Sequence, residues 1–152
     1  MQFTRASDYA VRVLSYLANA DGSVLRAQSI AAATEIPESF LAKILGQLGR
    51  AGMVMSHRGA RGGFILAVDA GAVTLLDVVE AMEGPLRLNL CGPPTPCLYT
   101  GRCPIERAWG EAESALRASL RSHTLAEMAA GSAGLFVPRS TAACRPVTPL
   151  RN

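Results

Sequence analysis

The chain is predicted to be mainly α: a winged helix-turn-helix with a small β-hairpin wing, followed by a long C-terminal dimerisation helix. Three observations carry that prediction. Apolar residues recur at helical spacing through residues 5–20, 26–36 and 37–52. A glycine-rich hairpin pattern follows over 53–68, and a further helical run from Pro104 carries an apolar stripe with the only Trp. Apolar residues make up 49% and aromatics 5%, a core of Ala, Leu, Val and Ile that favours close-packed helices. A chain of 152 residues buries one sizeable core, so one compact domain with an appendage is expected.

In the first helix, Ala6, Tyr9, Ala10, Val13, Leu14 and Leu17 share one face. Asp21-Gly22-Ser23 makes a turn, and a short second helix turns Ile30, Ala31 and Ala33 inward. Pro37 suits the start of the third helix because its fixed φ fits the first turn and its missing N–H is not needed there. Phe40, Leu41, Ile44, Leu45 and Leu48 form the buried stripe of that helix, and Gly52 stops it as a left-handed cap. Val54 and Phe64, Ile65 and Leu66 then flank a glycine-rich tip. Residues 74–84 form another helix, capped by Thr74 and stopped by Gly84. The long helix at 104–121 aligns Ile105, Ala108, Trp109, Ala112, Ala115, Leu116 and Leu120, a stripe too long for so small a domain to cover. It is read as a dimer seam. Thr124 and Glu127 make a capping box for a last short helix.

Charge is distributed unevenly. Residues 1–63 carry seven Lys or Arg against four acids, and residues 64–152 carry eight of each, so the formal +3 belongs to the N-terminal part. On the open face of the third helix, Ser39, Lys43, Gln47 and Arg50 are placed to reach bases or phosphates in a major groove. Arg58 and Arg61 on the thin hairpin suit a narrow minor groove. The expected partner is therefore double-stranded DNA. Two recognition helices in a homodimer would face a roughly palindromic site.

Residues 85–103 hold four prolines, two glycines and three cysteines, a composition that excludes a helix or a central strand. Cys91, Cys97 and Cys103 are evenly spaced, with five residues between neighbours. Thiolates are soft ligands for zinc or iron–sulfur clusters, but a structural zinc site uses closely spaced pairs and four ligands in all. Metal or cluster binding, reactive thiols and inert cysteines all stay open on spacing alone. Cys144 lies outside the even spacing and is read as incidental. No charged leader with an apolar run opens the sequence and no stretch of about 18 apolar residues occurs, so a cytoplasmic protein without membrane insertion is expected. Thiols stay reduced there, which disfavours a disulfide framework. No nucleotide-binding glycine fingerprint, second cluster motif or catalytic constellation is present, so no enzyme is expected. A small iron–sulfur electron-transfer protein is the less favoured alternative.

The segments DYAVRVLSYLA, FLAKIL, LGRAGMV and RGARGGFILA, taken with the three-cysteine loop, resemble the Rrf2 family of bacterial transcription regulators, which includes the IscR and NsrR types. The resemblance runs over roughly residues 1–130. It implies a homodimeric regulator, acting as a repressor, with an iron–sulfur cluster (4Fe-4S or 2Fe-2S) on Cys91, Cys97 and Cys103. Nitric oxide, redox or cluster status would be the signal. IscR-like members carry a His three residues beyond the last cysteine, where this chain has Glu106. NsrR-like members resemble it in an Asp of the first helix, here Asp8, which implies Asp8 as a fourth ligand reaching the partner's cluster; Glu106 or water remain alternatives. Ala42 and Lys43 differ from the IscR-like contact residues, so the target sequence does not carry over. A cluster-free regulator whose thiols sense oxidants is the alternative switch. The expected organisation is a winged-helix DNA-binding domain at 1–84, a cluster-binding loop at 85–103, a dimerisation helix with a short terminal helix at 104–131, and a poorly ordered tail at 132–152.

Overall fold

A computed structural model describes residues 3–59, 62–89, 91 and 97–136. Arg61 and Cys144, and all of the tail beyond residue 136, lie outside the described residues. Among the described residues there are six helices and one antiparallel two-stranded sheet. These are α1 (Arg5–Ala18), α2 (Ala27–Thr34), α3 (Glu38–Arg50), β1 (Val54–His57), β2 (Gly63–Leu66), α4 (Leu75–Glu83), α5 (Pro104–Arg121) and α6 (Leu125–Gly131). No helix among them is long and apolar enough to cross a membrane.

Helix α1 runs through the centre, packed against α2, α3, α4 and α6. Its Ala10, Val13, Leu14 and Leu17 are buried together with Ile30, Ile36, Leu41, Ile44, Leu48 and Val78 in a single core. The expected stripe of α3 holds at Leu41, Ile44, Leu45 and Leu48, but Phe40 is 53% exposed. Phe40 stands at the edge of the apolar arc and packs edge-on against Tyr9 of α1, with ring centroids 6.3 Å apart. Pro37 is the N-cap residue of α3, so the helix begins one position later than Pro37 suggests. Gly52 takes φ +73° just past α3, the left-handed stop read from the sequence.

The wing pairs Val54 with Leu66 and His57 with Gly63. A third segment that the sequence does not announce joins it, since Leu25 and Phe64 exchange backbone hydrogen bonds of 2.9 and 2.8 Å. That crossing demands glycine at 63, where a Cβ would lie 2.3 Å from the Leu25 carbonyl oxygen. Helices α4 and α6 both begin with capping boxes, Thr74 with Asp77 and Thr124 with Glu127. Their N-termini are bridged by Leu75 N–H to His123 O and Leu125 N–H to Val73 O.

Helix α5 behaves differently. Its C-terminal half packs on α4 through Leu120 and Leu116, against Leu76, Leu86 and Leu75. Toward its N-terminus Ile105 is 63% exposed and Trp109 45%, and Leu120 is the only buried residue of the helix. The stripe expected to lie in a seam is therefore covered at Leu116 and Leu120, while its N-terminal part, Ile105 to Ala115, has no cover among the described residues.

Candidate DNA-reading surface and cysteine loop

Ser39, Lys43 and Arg50 of α3 are exposed and Gln47 is half-buried, all on the face opposite the core stripe. Arg58 is exposed just beyond β1. Between the C-terminal half of α3 and the hairpin runs an open groove of about 810 Å³, walled by Ala42, Gly46, Gly49, Arg50, Met55 and Phe64 among others. Small residues on this side of α3 let another molecule approach the helix backbone closely. The Lys43 ammonium lies 5.9 Å from the centre of the Phe40 ring, which in turn leans on Tyr9. An aromatic pair at the surface thus steadies the stem of a cationic side chain. The sequence offered a signal for this, because Phe40 and Tyr9 both fall on the margins of their apolar arcs.

The cysteine loop leaves α4 at Gly84 and rejoins helix at Cys103, the N-cap residue of α5. Its first residues are laced down. The Glu80 carboxylate accepts from Leu86 N–H at 2.9 Å and pairs with Arg117 of α5 at 2.7 Å, and Arg117 also donates to the Leu86 carbonyl. Glu113 accepts from Leu88 N–H at 3.1 Å. Asn89 then closes a turn, its Oδ1 accepting from Cys91 N–H at 3.1 Å. Beyond Cys97 the chain turns tightly, with Thr100 N–H on Cys97 O and Gly101 at φ +79°. Glu106 accepts from Gly101 N–H at 2.8 Å and so braces that turn from the first turn of α5.

Cys91 and Cys103 are half-buried, Cys97 is exposed, and all three are free thiols. Among the described residues no group of three or more His, Cys, Asp or Glu side chains is drawn together at metal-binding distance. Cys91 and Glu106 share one polar hollow with Asn89, Glu113 and Arg117. Asp8 lines a different, mostly apolar hollow with Phe3, Val11, Leu75, Val79 and Leu120. It is paired with Arg12 at 2.9 Å. The structure therefore brings together Cys91 and Glu106 but not Asp8 with the cysteines of its own chain.

Two arrangements were invisible to sequence reasoning. Glu83, the last residue of α4, accepts from Ser7 Oγ at 2.5 Å, Thr4 N–H at 2.8 Å and Thr4 Oγ1 at 3.2 Å. The buried Ser7 hydroxyl does most to hold its carboxyl below the ordinary carboxylate range, partial desolvation opposes this, and the two Thr4 donors add to the lowering. Since Thr4 makes no side-chain cap of its own, a carboxylate from another helix satisfies the start of α1. The second is Asn89 Nδ2, the one buried side-chain nitrogen or oxygen among the described residues with no hydrogen-bond partner. An Asn two residues before a cysteine is a turn signal that a closer reading of the sequence could have used.

Comparison with known proteins places this geometry. The family model of Rrf2, described as an iron-dependent transcriptional regulator, matches residues 3–131. The chain belongs to the Rrf2 family. A candidate HTH-type transcriptional regulator of Mycobacterium tuberculosis is 32% identical over 142 residues, covering 87% of this chain and 83% of that protein. Among solved structures, CymR, the global cysteine regulator of B. subtilis, is similar with a TM-score of 0.70 and 28% identity, over 86% of this chain and 98% of the other. IscR of T. potens is similar with a TM-score of 0.67 and 26% identity, over 87% of this chain and 88% of the other. The six helices and two-stranded hairpin are accordingly the winged-helix architecture of Rrf2 transcriptional regulators, not of enzymes.

Proposed function

We propose that this Rrf2 protein is a cytoplasmic, homodimeric repressor whose grip on a roughly palindromic operator is switched by an iron–sulfur cluster seated on Cys91, Cys97 and Cys103. The observation that carries the reading is where the loop lies. It is the link from α4, in a head built of α1–α4 and α6, to the N-terminal half of α5, whose Ile105 and Trp109 are uncovered among the described residues.

The loop fits such a group on donor chemistry, three soft thiols on a Pro- and Gly-rich segment, and on the stranded Asn89 Nδ2, a buried donor suited to an anionic sulfur. When bound, the cluster would supply redox and nitric oxide chemistry. The chain's own residues do the rest. Cys91 follows a segment anchored to both α4 and α5, and Cys103 is the N-cap residue of α5, whose positive end would favour the negative charge of a liganded thiolate there. Asp8 of the partner subunit is the fourth ligand in this reading, as in the NsrR type. Asp8 gives up little to serve there, because an exposed i,i+4 pair such as Asp8–Arg12 is worth about 0.3–0.5 kcal/mol. Glu106 is the weaker choice, since its carboxylate already braces the Gly101 turn. Ile105 and Trp109 supply the seam with a second copy. Ser39, Lys43, Gln47 and Arg50 read or clamp the major groove, and Arg58 and Arg61 enter the minor groove.

The test compares operator affinity of the anaerobically purified protein, its apo form and Cys97→Ser. The reading expects the first to differ from the other two by tenfold or more, about 1.4 kcal/mol. Equal affinities would remove the switch.

A second reading is favoured by one observation: Cys97 is exposed and the thiols stand apart among the described residues. In that reading the cysteines sense oxidants directly, without a cluster. Iron and sulfide analysis of protein isolated without air separates the two.

A further inference from the structure

Asn89 has two ends, and the structure employs only one. Its Oδ1 accepts from Cys91 N–H at 3.1 Å, and because an N–H needs an acceptor, that bond fixes the orientation of the amide. Nδ2 is therefore the free end, buried and without a partner among the described residues. Asn89 is one of the residues around the 330 Å³ hollow that holds Cys91, and its Nδ2 is packed beneath that surface. Three of the other polar groups there are engaged, Glu113 with Leu88 N–H, Glu106 with Gly101 N–H, and Arg117 with Glu80 and the Leu86 carbonyl, while the Arg87 side chain is exposed. Proteins seldom strand a buried donor, and where they do an absent ligand is a standard cause.

We propose that Asn89 is a positioning residue for the cluster: Oδ1 shapes the turn that presents Cys91, while Nδ2 donates a hydrogen bond to the Cys91 thiolate or an adjoining sulfide when the cluster is bound. The inference rests on the cluster reading above. Hydrogen bonds to cluster sulfur withdraw electron density and raise the reduction potential. Outer-shell donors also hold their ligands in place, and losing one typically costs 10- to 100-fold in metal affinity. Asn89 can do both because turn and donor come from one short side chain locked two residues from the ligand.

Two variants divide the roles. Asn89→Asp keeps an oxygen for Cys91 N–H and removes the donor; Asn89→Ala removes both. Wild type and variants are purified without air and compared for iron and sulfide content, reduction potential, and rate of cluster loss to a chelator in the absence of DNA. Both variants are expected to have a lower potential than wild type and to lose the cluster about tenfold faster or more. Resonance Raman should show an iron–sulfur stretching band that shifts in D₂O for wild type and is still in Asn89→Asp. Far-UV circular dichroism of the apo proteins should be unchanged, which separates donor loss from unfolding. If Asn89→Asp matches wild type in potential and decay while Asn89→Ala does not, only the turn matters and the donor role is overturned. The same holds if neither variant differs. Wild-type protein devoid of iron and sulfide would bring down the cluster reading itself, a result distinct from a loaded wild type with indifferent variants.

Discussion

The head and the arm of this molecule solve opposite problems. In the head, α1 is wrapped by four other helices and its apolar face vanishes into one core. In the arm, α5 buries only Leu120 and leaves Ile105 and Trp109 in the open. The head buries its apolar faces internally, whereas the N-terminal half of the arm keeps an apolar stripe uncovered among the described residues. Between them lies the cysteine loop, tied at its root to both by Glu80, Arg117 and Glu113. In the proposed dimer, that division would let the spacing of two heads change without disturbing how either is folded.

Mutations should separate the two regions by size of effect. Leu14→Ala removes a fully buried side chain from the centre of the head and is expected to cost about 2–5 kcal/mol in chemical denaturation. A smaller loss would mean that the head core is looser than its burial indicates. Gly63→Ala drives a methyl group into the Leu25 carbonyl and should cost about 1–3 kcal/mol while weakening DNA binding through a displaced wing. Normal affinity in that variant would detach the wing's placement from its job.

Glu83→Ala strips the start of α1 of its acceptor and should cost about 1 kcal/mol, in the range of a lost helix cap. Glu83 also gives the head a pH dependence of known sign. Its folded-state pKa is lowered, so its contribution is whole above the ordinary carboxylate range and fades as pH falls through the folded value. Glu83→Gln should flatten the acid limb of a stability–pH curve, and an unchanged limb would refute the assignment. The smallest effect on folding belongs to Trp109→Ala, within about 0.5 kcal/mol for a single chain. The same change should move the sedimenting mass from dimer toward monomer. A large fall in head stability with no change in mass would show that α5 serves its own chain.

How much of this the sequence foretold follows the range over which each interaction acts. The α3 stripe, the Gly52 stop and the Thr74 and Thr124 caps depend on neighbours within a few positions, and the structure has them where periodicity and capping put them. Phe40 was misjudged because a helical wheel treats the margin of an arc as core, while here a neighbouring helix offers only the edge of Tyr9. Glu83 reaching Ser7 and Thr4, and Leu25 crossing to Phe64, join residues far apart in the chain, with nothing in local composition to announce them. The candidate site divides in the same manner. Three evenly spaced thiols on a Pro- and Gly-rich loop mark the candidate site in one dimension, but the bracing by Glu106, Glu113 and Asn89 exists only after folding.

The contact between Gly63 and Leu25 carries a lesson about how the wing is mounted. The hairpin is held main chain to main chain through Phe64, close to its tip, so its tilt is set by a hydrogen-bond pattern and by the absence of a side chain at Gly63. What the tip carries, Arg58 included, is thus mechanically separate from what holds the hairpin in place.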